Sequence, residues 1–407
     1  VIKAGSIAYA ILICIVVGIF CYSLLLMSGY SKIHQGMLDA HAELVSNNES
    51  AQEYFLAKIE DIEEKRITID VFDNGMVSSG SIKPWGFYKV LLTTSVFKKD
   101  TIKRAALIGQ WQKEDAMALY LSDASKPLFM VEKAKITGNV FLPKSGIKAG
   151  YITSNAYRDT KFLIGTKRNS KTSLPKIDHV DFAYDIDNVR QIMLNEIKDD
   201  VLLYNSFSKQ TLVIESDTII INNKKLSGNI VIKSKDSIYI KKNNVLEDII
   251  IDAPKVAFES GFTGNVQVLA EKVVGLEENV VLKYPSGILM NRGNVDKREV
   301  TIGKKSKILG GVVINDINRG LDKIVTVEED AEVIGDIYCS GKLQLKGNVI
   351  GTVYTSNFYL RTEASAYDNY ILNGTIDRKS LPDEFVRIPL FKNKSEYFKP
   401  YAIIKQI

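Results

Sequence analysis

Residues Val325–Arg361 read VTVEEDAEVIGDIYCSGKLQLKGNVIGTVYTSNFYLR. Apolar side chains alternate in runs of a few residues, the period of a strand with one buried face. Corners of two to four residues separate the runs, carried by glycine, asparagine and acidic residues that suit tight turns. Almost no length remains for a helix.

The same unit recurs outside this stretch. A glycine, usually a small polar residue, and then an alternating strand appear as GNVFL from Gly138, GNIVI from Gly228, GNVQV from Gly264, GGVVI from Gly310, GDIYC from Gly335 and GNVIGTVYT from Gly347. GTI at Gly374 is a shortened copy. Copies stand from 12 residues to several tens apart, so this is an imperfect repeat. Each strand is too short to form a core by itself, but stacking the units buries their Val, Ile and Leu in one continuous column. Glycine and asparagine turn the corners because they tolerate positive φ. The reading predicts a parallel β-solenoid.

These rungs, from Leu212 to Asp377 and most clearly Glu332 to Thr355, resemble the I-x-G-x-V-type units of the bactofilins, polymer-forming cytoskeletal proteins. The resemblance implies a right-handed parallel β-helix. The chain departs from that family in its large size, its N-terminal β-rich region and its irregular rung spacing.

Ahead of the solenoid, Ala4 to Tyr30 carry no charge (AGSIAYAILICIVVGIFCYSLLLMSGY). About 20 apolar residues cross a bilayer as a helix, so residues 1–30 are expected to be an uncleaved transmembrane anchor that meets lipid through residues 4–30. A signal peptide, with Ser28-Gly29-Tyr30 as a weak cleavage site, and a buried core helix are the alternatives. Lys3 before the span and Lys32 after it give a slight charge bias toward a cytoplasmic N-terminus, with the large C-terminal part outside the cytoplasm. Residues 31–65 keep helical apolar spacing, as in Phe55, Ile59 and Ile62, and are read as a juxtamembrane helix interrupted at Ser46-Asn47-Asn48. An apolar helix leading into a small β-domain is similar to the type IV pilins and pseudopilins. Those families carry Glu at the fifth mature position, where Gly5 stands here.

Four further regions follow. Residues 66–177, with runs such as ITIDVF and FYKVLLTTSVF, predict a small antiparallel β-domain. Residues 178–210 contain Val189, Ile192, Met193, Ile197, Val201 and Leu202 at helical spacing and predict a helical insertion that closes the solenoid, with a partner-binding helix as the alternative. The solenoid itself is expected over 211–377. Residues 378–407, with Pro382, Pro389 and Pro400 among aromatics, predict an extended cap or tail packed across a surface.

Catalytic chemistry is sparse. His34 and His41 lie two helical turns apart without further metal ligands, and His179 precedes Asp181, Asp185 and Asp187 as a conceivable base. Asp199-Asp200, Glu277-Glu278 and Glu328-Glu329-Asp330 sit beside turns and read as solvated corners. No phosphate loop, zinc spacing or calcium loop is present, and no cofactor is expected. Lys297, Arg298, Lys304, Lys305 and Lys307 form a candidate anionic-ligand patch, with strand-edge protection as the bland alternative. A net charge of +5, from 53 basic and 48 acidic residues, does not mark a nucleic-acid binder. Only Cys339 lies outside the apolar span, so that body cannot form an internal disulfide. The expectation is a non-enzymatic, single-pass protein presenting its solenoid as a structural part of a bacterial envelope assembly with other subunits. The competing class is a membrane-tethered β-helix protein that binds or cleaves a glycan.

Overall fold

The computed structural model describes residues 4–59, 62, 67–111, 117–152, 155–158, 161–177, 183–184, 188–293, 295–315, 322–391 and 401–407. The chain is mainly β, with one long N-terminal helix, and divides into two compact units. Residues 1–81 with 93–104 form the first, and residues 82–92 with 105–407 the second.

In the first unit, helix α1 (Ala4–Ala57) runs without a break. The expected interruption at Ser46-Asn47-Asn48 is absent because the asparagine side chains are spent elsewhere. Asn48 donates to the Ser95 hydroxyl at 2.8 Å, Ser78 donates to Asn47 at 2.9 Å, and the two serine hydroxyls lie 2.7 Å apart. Side chains held against the strands in this way do not turn back on the helix backbone. Leu44, Ala51, Phe55 and Ile59 form the buried stripe, on one helical face. Against it lie strands β1 (Ile67–Asp70) and the outer parts of β2 (Val77–Gly86), β3 (Tyr88–Phe97) and β4 (Asp100–Gln110), in sheet order β1-β2-β3-β4. Gly80 lies under the Phe55 ring, where a Cβ would meet its Cγ at 2.7 Å. The span from Ile7 to Met27 leaves its large apolar side chains exposed.

The second unit is a parallel β-solenoid. One inward column can be followed through the register: Ile192, Ile214, Ile232, Ile251, Val268, Ile288, Val312, Ile337 and Val353. All but the first are buried. Corner glycines stack with it. Gly310, Gly335 and Gly351 take φ of 150°, 131° and 153°, and a Cβ on any of them would lie within 1.8 Å of the preceding rung's carbonyl oxygen.

The column does not end at Val353. It passes to Leu119 and then to Val140, because Met117–Leu121 stacks parallel on Val353–Thr355 and Asn139–Leu142 stacks on Met117–Leu121. Lys135–Thr137 likewise pairs with Thr375–Asp377. Strands between Met117 and Asn169, expected in the antiparallel domain, therefore form the rungs beyond the C-terminal one, with Tyr151–Ile152 and Asn155–Ala156 as a small antiparallel hairpin among them. Alternation identifies a strand but not its partner, and here the partner lies more than 200 residues away.

Two further expectations are corrected. No helix fills the described part of 178–210: Val189–Ile192 and Leu202–Asn205 are strands joined through a short 3-10 turn at Leu194–Glu196. Strand, corner, strand produced an apolar spacing that imitates a helical face, and rung stacking decides between them. The described residues of the C-terminal segment lie on the solenoid's flank rather than over its end. Ile388 and Leu390 pack on its flank with Trp85, Phe87 and an outward row that includes Leu289, Val313 and Tyr338, forming a second core. Gly287 and Gly311 make room: a Cβ on Gly287 would meet Phe87 at 2.6 Å, and one on Gly311 would meet Ile388 at 3.0 Å. Arg387 Nε lies 3.0 Å from Asp336 in a buried ion pair, and Tyr401–Gln406 adds antiparallel to β4.

Candidate interaction surface at the first rung

The solenoid begins with Val189–Ile192 and Leu202–Asn205. The first pairs with Thr211–Ile214 and the second with Lys225–Gly228. Among the described residues no strand is in register with their other edges, so a row of backbone donors and acceptors remains open to another chain. Met193, Val201, Leu202 and Tyr204 are 65%, 54%, 59% and 56% exposed around them. Ile192, Leu203 and Leu212 are only partly buried and line, with Arg190 and Val201, a depression of about 340 Å³. The core column thus reaches the surface here without a final layer.

The rim is charged and held in place. Lys224, nearly buried, donates to the Ile197 carbonyl and pairs with Asp199 at 2.6 Å, while Lys225 pairs with Asp200 at 3.4 Å. An apolar centre inside a charged rim is the composition of a protein interface. The chain's sequence pointed to this segment as apolar, but as a closing helix rather than an open rung.

The basic cluster read from the sequence does not come together as a free patch. Arg298 is buried and donates to the carbonyls of Glu271, Arg292 and Gly293 at 2.7, 2.6 and 3.1 Å. Lys297 pairs with Glu299 at 2.7 Å, Lys304 with Glu329 at 3.2 Å and Lys307 with Glu332 at 3.2 Å. Lys305 is a corner residue at φ 57°. Of the acidic corners, Asp199, Asp200, Glu328 and Glu329 are the other halves of such pairs, Glu328 with Lys346 at 3.0 Å, whereas Glu277 accepts from the Tyr239 hydroxyl and the Ser260 N–H. No three His, Cys, Asp or Glu side chains converge on a metal-sized point among the described residues. His41 Nδ1 lies 2.6 Å from Asp100, and this hydrogen bond holds the Asp100 carboxyl below the usual range. His34 is exposed on α1. His179, Asp181, Asp185 and Asp187 lie outside the described residues.

The architecture defines a class: a parallel β-solenoid that follows an apolar helix long enough to cross a membrane. No protein family, curated protein or solved structure matches the chain.

Proposed function

We infer that the protein is a single-pass membrane protein of the bacterial envelope, anchored through residues 4–30. Its N-terminus lies in the cytoplasm, and its solenoid works outside the cytoplasm as a non-enzymatic structural subunit. The bactofilin-like rungs and the pilin-like helix both support an assembly role. The observation that carries the reading is the open first rung, where strand edges that no described strand pairs and exposed apolar side chains face solvent. Partner subunits of the same envelope assembly are the expected occupants, through added strand pairing and burial of Leu202 and Tyr204.

The test is affinity purification of the tagged full chain from gently solubilised membranes. Wild type brings down a defined set of envelope proteins, and Leu202→Lys/Tyr204→Lys loses them while keeping its membrane fraction and melting temperature. Recovery of the wild type alone, with measurable polysaccharide cleavage, overturns the reading in favour of a glycan-cleaving protein.

A further inference from the structure

The opposite end of the solenoid is closed by different chemistry. Its last strand, Lys167–Asn169, pairs with Asn139–Leu142, and the inward column that holds Leu119 and Val140 ends on Lys167. Between Glu132 and Asp178 the sequence has 10 lysines and arginines and a single acid, Asp159, which lies outside the described residues.

Along the body of the solenoid acidic residues are interspersed with the cations, and many lysines pair with carboxylates, although Lys242, Lys272 and Lys283 are exposed without an ion pair among the described residues. Lys235 pairs with Asp217, Lys255 with Asp236, and Lys342 with Asp322, at 3.3 to 3.4 Å. In the terminal rungs the acids run out. Lys144, Lys148, Lys161, Lys167, Arg168 and Lys171 are all exposed, and none forms an ion pair among the described residues. Arg158 reaches Glu132 only at 3.8 Å, and Asp123 is engaged by the backbone N–H groups of Ser125 and Lys144.

One inward lysine suffices to keep a strand edge from pairing with another sheet. Six unanswered cations on rungs about 4.8 Å apart exceed that need and raise a positive potential over the whole end. We propose that this basic end binds a linear polyanion, an extended polymer with closely spaced phosphate groups. Lysine predominates, and its ammonium is a mobile point charge, suited to a flexible run of phosphates rather than to one carboxylate gripped in a fixed fork. On the outer side of this strand, which no described strand pairs, the backbone N–H groups of Lys167 and Asn169 add donors along the same edge. Tyr151 and Ile164, the large apolar side chains exposed here, are single residues rather than a wedge. A membrane surface would therefore gain charge contacts without the apolar insertion that holds peripheral proteins.

The full chain in neutral-lipid nanodiscs is titrated with fluorescent inorganic polyphosphate at several salt concentrations. Binding is expected to weaken at least tenfold in Lys167→Gln/Arg168→Gln/Lys171→Gln. Its log–log salt slope is expected to fall by about two, at roughly 0.7 to 0.9 for each phosphate that is no longer neutralised. Lys144→Gln/Lys148→Gln/Lys161→Gln gives a second, independent loss, and Lys304→Gln/Lys307→Gln, whose lysines are already paired, binds as wild type does. No binding by wild type, equal binding by all variants, or binding to anionic vesicles but not to polyphosphate overturns the proposal.

Discussion

Gly335 shows how tightly one residue is specified. At φ 131° an L side chain is strained by about 1 to 3 kcal/mol, and a Cβ there would lie 1.7 Å from the Gly310 carbonyl oxygen. Gly335→Ala is expected to lower unfolding free energy by more than about 3 kcal/mol in denaturant titration. Gly275, with nothing within 4 Å of an added Cβ, should tolerate alanine within about 0.5 kcal/mol. Cys339 gives a second residue-level expectation. Burial raises its thiol from 9.0 to about 12, so it should resist maleimide until the chain unfolds. Below pH 9.0 both states keep the proton. Above it the unfolded thiol ionises while the folded one does not, so this contribution to stability is lost progressively as pH rises toward 12. The check is the stability difference between wild type and Cys339→Ala measured across that window. Corner glycines were legible because their need is local. The fate of Lys304 was not, because its partner Glu329 stands 25 residues away on the next rung.

Among the elements, α1 combines two environments in one uninterrupted helix. Its Leu44–Ile59 stripe is buried, whereas the large side chains of its Ile7–Met27 segment are exposed in the absence of lipid. Phe55→Ala is expected to destabilise the first unit by about 3 to 5 kcal/mol, read by denaturant unfolding in detergent. Val16→Lys should leave that transition unchanged but weaken membrane retention, since a central lysine costs about 2.5 to 3.5 kcal/mol on insertion; carbonate extraction measures the difference. The helix and its apolar span were readable because a long 3.6-residue pattern and a charge-free run need no knowledge of partners. Residues 189–205 were misread for the converse reason. Two short strands around a corner imitate a helical face, and only the neighbouring rung Thr211–Ile221 separates the two.

At the scale of the second unit, the order of rungs in space is not their order along the chain. Rungs from Val189 to Asp377 stack in sequence order, after which the chain's earlier segment, from Met117 onward, continues the column. The solenoid period was visible in the glycine-led repeats, but this rejoining was not, since stacking of Leu119 on Val353 leaves no local mark. It has an energetic consequence. In a solenoid each rung is stabilised chiefly by its immediate neighbours, so Val353–Thr355 supports Leu119–Leu121, and through it the rungs beyond, as directly as it supports Ile337–Cys339. Thr352 reinforces the junction by donating to the Met117 carbonyl at 2.8 Å. Val353→Ala, which removes buried methyl groups at this junction, should therefore raise amide exchange in 117–142 as well as in 337–376. Truncating the opposite end of the same inward column, as Ile192→Ala, should leave 117–142 protected while loosening 202–214. Native-state hydrogen exchange with peptide-level resolution distinguishes the outcomes. Protection of 117–142 that is insensitive to Val353→Ala would mean that these rungs are stabilised mainly by the flank packing around Tyr120, Tyr354 and Phe391 rather than by the continuous column.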